Sequence, residues 1–163
     1  MSLPVVDRIA RVIETRVDGV TIAAGYNQTL VSARQTKEGG VSPYDGVVTI
    51  VQGDANDEPL IETGNPPMVT WKQPFAINIC VRPSDTDDTP IEALLNLAAS
   101  DVITAVCAPA AWYQFADSDG YTAINAQFGA MQKFNGDNGT LEGVTLPLIV
   151  DYRVSETDPT EVR

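Results

Sequence analysis

The residues best placed to do chemistry crowd into "SDTDDTPIE", where Asp85, Asp87, Asp88 and Glu92 bring four carboxylates together. Such a cluster raises a calcium loop. An EF-hand loop needs oxygen ligands at alternate positions, a glycine at the sixth and a glutamate at the twelfth. Counted from Asp85, the third position is Asp87, but the sixth is Pro90. The spacing reads instead as the start of a helix. Thr89 and Glu92 form a capping-box pattern, and Pro90 falls on the first helical position. Asp87 and Asp88 then lie beside the positive end of the helix dipole. Two other acidic-glycine clusters, "DSDG" and "NGDNG", complete no calcium loop either. Neither a metal nor a cofactor is expected.

The rest of the inventory narrows the chemistry further. The chain has no histidine, which excludes Ser-His-Asp and Cys-His catalysis and every histidine-containing metal site. Cys80 and Cys107 are too few for a four-thiolate zinc site. Cys80 falls in an apolar strand and Cys107 late in an apolar helix. They read as two buried free thiols, with a disulfide between them as the alternative. Paired carboxylates can serve as acid and base, but no phosphate-loop, dinucleotide, hydrolase-elbow or zincin motif accompanies them. An enzyme is not expected. Trp71 and the cluster around Trp112 could stack on a small ligand, a reading that core packing explains equally well.

Ten basic residues against 22 acidic ones leave a net charge of −12. A chain of that sign repels phosphate backbones, so tight nucleic-acid binding is not expected, although such a surface suits a passage through which DNA slides. No apolar run is long enough to span a bilayer. The opening "MSLPVVDRIARVIE" carries charge too early for a secretory signal, so a protein retained in the cytosol is expected. At 163 residues, one domain is expected, over residues 1–155, with 156–163 as a polar, frayed tail.

The elements that must position these residues follow from periodicity. Val6, Ile9, Ile13 and Val17 recur at helical spacing, with Pro4 in the first turn and Gly19 at the end. "GVTIAAGYNQTLVSARQTK" reads as extended around Gly25. "GVVTIVQGD" has the form of a strand buried on both faces. Residues 37–67 are otherwise rich in glycine, proline and acidic residues, and read as loops. In "MVTWKQPFAINICVRPSD", Phe75, Ile77, Ile79 and Val81 alternate with smaller or polar residues, which marks a central strand with a bulge or bend at Pro74. A helix follows, carrying Ile91, Leu94, Leu95, Ala98, Val102 and Val106 on one side. Two alternating runs, from Ile124 to Ala130 and from Val144 to Val154, form a hairpin about the second glycine-rich cluster, with Pro147 against an edge or bulge. Trp112, Tyr113 and Phe115 read either as a cap over the core or as an aromatic contact patch for another subunit. The order predicts an α+β domain: two layers, a mostly antiparallel sheet, and both helices packed on one face.

Taken together, the helix "VVDRIARVIETRV", the strand "FAINICVRPSD" running into "PIEALLNLAASDVITAV", and the final strand "GVTLPLIVDYRVSETDP" resemble the tail terminator proteins of long-tailed bacteriophages. The resemblance covers most of the chain. It implies a structural virion subunit of the tail and neck, assembled in the host cytoplasm. It implies a homohexameric ring that caps the last ring of tail-tube subunits, stops their polymerisation and offers a surface to the head connector or stopper protein. DNA would pass through the ring without specific binding, and no membrane is involved. Contacts are expected at Tyr44 and Asp45, at Pro66 and Pro67, and at Trp112, Tyr113 and Phe115. Other neck proteins such as a stopper or adaptor, a tail-tube subunit, and a small-ligand binding module are the alternatives.

Overall fold

The first helix, α1, runs Val5–Asp18, between Pro4 as N-cap and Gly19 as C-cap. The Pro4 carbonyl accepts from the amides of Asp7 (3.0 Å) and Arg8 (3.2 Å). Proline has no N–H to leave orphaned, so it opens this turn at little cost. Val5, Ile9, Ile13 and Val17 are fully buried. Val6, expected on that stripe, is only partly buried, and Val5 one residue earlier takes its place. Each such side chain contributes about 2 kcal/mol on burial.

The computed structural model describes residues 3–34, 46–54, 59–65, 67–81, 89–107, 116–117, 120–121, 123–135 and 142–162. After α1, residues 20–30 are not the extended run expected. They hold a 3-10 turn at Ile22–Ala24, capped by Thr21, whose Oγ1 accepts from the Ala24 amide at 3.1 Å. Gly25 ends the turn with φ +93°, a left-handed conformation that glycine adopts without a Cβ penalty. The strands are β1 (Val31–Arg34), β2 (Val47–Gln52), β3 (Leu60–Glu62), β4 (Met68–Val81), β5 (Ala116–Asp117), β6 (Gly120–Tyr121), β7 (Asn125–Phe128), β8 (Gln132–Asn135), β9 (Glu142–Ser155) and β10 (Asp158–Val162). The second helix, α2, runs Ile91–Val106.

Eight strands form one sheet in the order β1-β2-β4-β9-β10. β3 extends beside β4, and β7 and β8 lie beside β9, while β5 and β6 pair separately. The sheet is antiparallel except for β1 and β2, which pair in parallel with Val31 opposite Val47. β4 and β9 pair along their whole length, from Met68 opposite Ser155 to Val81 opposite Glu142. The fold is α+β, mostly antiparallel, with both helices on one face, as the periodicity predicts. The inner face is a ladder of cross-strand pairs: Ile79 with Val144, Ile77 with Leu146, Phe75 with Leu148, Val69 with Val154. All eight are buried, and β2 adds Val48 and Ile50 opposite Ile79 and Ile77. The alternate residues of β2 are only half-buried, so it is a one-faced strand rather than one buried on both sides.

Pro74 makes no bulge: it pairs in register with Ile149. Its carbonyl accepts from Gly53 N at 2.9 Å, just past the end of β2. A strand residue points its N–H and C=O to the same edge, so the missing donor of Pro74 faces the place where β2 has stopped. Pro147 repeats this on the other side. Its carbonyl accepts from Gly129 N at 2.8 Å, in the gap between β7 and β8. The expected hairpin into β9 is therefore built from β8, with β7 farther along the same strand.

Two further expectations are corrected. Pro90, not Thr89, is the N-cap of α2, and no side chain caps it. The Pro90 carbonyl takes the amides of Ala93 (2.9 Å) and Leu94 (3.2 Å), so the expected frame shifts by one residue. Asp85, Asp87 and Asp88 lie outside the described residues. The last residues are not a frayed tail: Asp158–Val162 form β10 against β9 after a turn.

Candidate assembly surfaces

Among the described residues, no helix lies on the second face of the sheet. On that face lie Thr70, Lys72, Pro74, Ala76, Asn78 and Cys80 of β4, opposite Arg153, Asp151, Ile149, Pro147, Thr145 and Gly143 of β9. One end is charged. Arg153 meets Glu62 at 2.8 Å, and Asn125 donates to Asp151 at 3.2 Å. The other end is uncharged, with Thr145 donating to Asn78 Oδ1 at 2.7 Å. Ile149 stands exposed between them. Leu60 and Ile61 of β3, also exposed, lie beside the Glu62–Arg153 pair.

The edges of the sheet are fitted differently. On β1, Ser32 N donates to Asp18 Oδ1 at 2.7 Å, and Arg34 reaches α1 through Glu14 (3.0 Å) and Asp7 (3.6 Å). That edge is fastened to the helix layer and is thereby blunted as a template for another strand. β3 on one side and β7 and β8 on the other are the outermost strands along their parts of the sheet.

Polar bonds join the parts of the helix layer. Asp101 is a buried carboxylate on α2, 4% exposed. It accepts from Asn27 N (2.9 Å), Asn27 Nδ2 (2.7 Å) and Gln28 N (3.1 Å). Gln28 Nε2 also donates to the Leu94 carbonyl at 3.1 Å. These four bonds fasten the 20–30 segment to α2 and satisfy two loop amides that would otherwise be orphaned. At the other end of α2, Arg16 of α1 donates to the Val106 carbonyl, a cation at a helix C-terminus, where it is stabilised by the dipole.

Both cysteines are free thiols. Cys80 is buried on the sheet and Cys107 half-buried after α2. Burial pushes both thiols above their ordinary range; for Cys107 the nearby Arg16 guanidinium offsets part of that rise. Burial likewise raises the Tyr152 phenol. Among the described residues no cluster of three or more His, Cys, Asp or Glu could hold a metal ion. Among them too, no helix is long and apolar enough to cross a membrane.

Of the contact residues expected from sequence, Pro67 alone lies among the described residues. It is half-buried just before β4, and its carbonyl accepts from Glu156 N at 3.1 Å. Tyr44, Asp45, Pro66, Trp112, Tyr113 and Phe115 lie outside them. Sequence reasoning missed the polar joint at Asp101. Its only signal is an acid far from the helix N-terminus, at a position flanked by Ala98, Ala99 and Val102 of the apolar side. No protein-family model matches the chain, and a comparison with curated proteins returns no match.

Proposed function

We propose that this chain is a structural subunit of a long-tailed phage virion: a tail terminator that assembles into a ring, caps the tail tube and presents a surface to the head connector. The supporting observation is the arrangement of the segments that carry the resemblance, with "VVDRIARVIETRV" as the helix α1. "FAINICV" and "GVTLPLIVDYRV" form the central antiparallel pair β4–β9, and "IEALLNLAASDVITAV" is the helix α2 laid across it. The subunit is small and two-layered, with one sheet face free of helices among the described residues and exposed apolar residues at Leu60, Ile61 and Ile149. Such surfaces suit contact with other subunits.

The mechanism is assembly rather than turnover. Identical subunits associating head-to-tail close into a ring when the rotation per subunit divides a full turn. Capping occupies the tube end that the next tube ring would use. A net charge of −12 suits a lumen that DNA crosses without sticking. The test is to mix purified protein with tail tubes and view them by negative-stain electron microscopy. Density at tube ends, with tube growth stopped, supports the reading. Tubes built from this chain alone would move it to the tail-tube subunits, and binding to the connector without the tube would move it to the stopper or adaptor proteins.

A further inference from the structure

Charge is unevenly spread along this chain. Residues 19–33 carry no charged side chain, and residues 93–116 carry only Asp101. Asp101 is buried, with three donors satisfying it. The bonds from Asn27 and Gln28 to Asp101 and Leu94 tie the two stretches together. What they show outward is uncharged as well. On α2 the exposed residues from Asn96 onward are Asn96, Leu97, Ser100, Ile103 and Thr104. In the tied segment the 3-10 turn exposes Ile22, Ala23 and Ala24, with Ile22 65% exposed. A helix with apolar residues on its outward side as well as its inward one is usually covered on both.

We infer that this uncharged surface, the outward side of α2 from Asn96 onward together with the Ile22–Ala24 turn, seats a second copy of this chain. The inference rests on the assembly reading above and names one surface that assembly uses. Charge selects the occupant. Two copies, each at −12, repel wherever their acidic faces meet, and approach at least cost where neither presents a charge. A basic partner would gain most on the acidic faces instead. The other exposed apolar residues are less suited: Leu60 and Ile61 adjoin the Glu62–Arg153 pair, and Ile149 lies near Asp151. In a closed ring this surface meets a different surface of the next copy, and by the same argument that second surface is also short of charge.

The test is sedimentation velocity of the full chain and of Ile22→Glu, Leu97→Glu and Ile149→Glu, with circular dichroism and melting to confirm folding. Association of the unaltered protein should tighten between about 0.05 and about 0.5 M salt, because screening relieves repulsion between like-charged copies. Ile22→Glu and Leu97→Glu should each weaken association by about tenfold or more while remaining folded. Ile149→Glu probes the far face of the sheet: association lost in Ile149→Glu but kept in Ile22→Glu and Leu97→Glu would overturn the inference. Folded Ile22→Glu and Leu97→Glu proteins that associate normally would overturn the inference and leave the ring reading standing. Association that weakens with salt would overturn it too, by marking a contact between unlike charges. An unaltered protein that is monomeric throughout, with or without tail tubes, would sink both. A monomer that binds tube ends through Leu97 would assign the surface to the tube protein.

Discussion

The ring of Phe134 on β8 lies across Gly143, its direct partner on β9: a β-carbon on Gly143 would collide with Phe134 Cζ. Gly143 is itself paired with Cys80 on β4, so one aromatic ring lies over a row that small residues make possible. Glycine weakens a strand by leaving nothing to pack, and an aromatic laid across it restores that contact.

Gly143→Ala should therefore destabilise the protein by about 1–3 kcal/mol, although alanine suits a strand better than glycine does. Urea denaturation measures this. Phe134→Ala removes the obstacle, so the double variant should be less destabilised than the two single changes sum to, by about 1 kcal/mol. Strict additivity would mean that the ring moves aside freely.

Asp101 carries a joint between the helix layer and the 20–30 segment. Asp101→Ala leaves two loop amides and one side-chain amide without their acceptor, and should cost about 3 kcal/mol. Asp101→Asn keeps one acceptor oxygen. If the Asn27 amide turns over to face the new NH2 group, the loss falls to about 1 kcal/mol. Hydrogen exchange should show the amides of Asn27 and Gln28 losing protection in Asp101→Ala before α2 does.

The two thiols make a prediction with a definite sign. Burial raises both above their unfolded values, so the folded protein keeps these protons to higher pH than the unfolded chain. Their contribution to stability is complete below the ordinary thiol range and is lost as pH rises from about 8.5 through the folded values. Stability measured by urea should fall over that window, and the slope should flatten in the Cys80→Ala, Cys107→Ser double variant. A disulfide-exchange reagent should modify half-buried Cys107 first and reach Cys80 only on unfolding.

Where burial has one clear direction, the structure was legible in the sequence. Ile9, Ile13 and Val17 mark α1, and the alternation from Phe75 to Val81 and from Val144 to Val154 marks the two strands that carry the core. Long-range partners were not legible. The 20–30 segment looks extended by residue type, but its amides bond to Asp101 across more than seventy positions of chain. Nothing near Val31 announces a parallel partner at Val47. β8 was hidden because Gln132, Lys133 and Met131 before it are all exposed, so no alternation appears. Pro74 signals a break in a strand, and breaks none, because β2 ends beside it. Of the assembly residues expected from sequence, the described structure includes Pro67. The uncharged surface at α2 was present in the sequence as two stretches that hold one charged residue, Asp101, between them, and it takes the Asp101 joint to show that they belong together.

The most direct measurement of the assembly account is native mass spectrometry of the purified full chain, with electron microscopy of the same sample. The account predicts a closed ring of about six subunits, since head-to-tail contacts that close give a single defined stoichiometry. A protein that stays monomeric at every concentration, and neither assembles on tail tubes nor binds their ends, would contradict it.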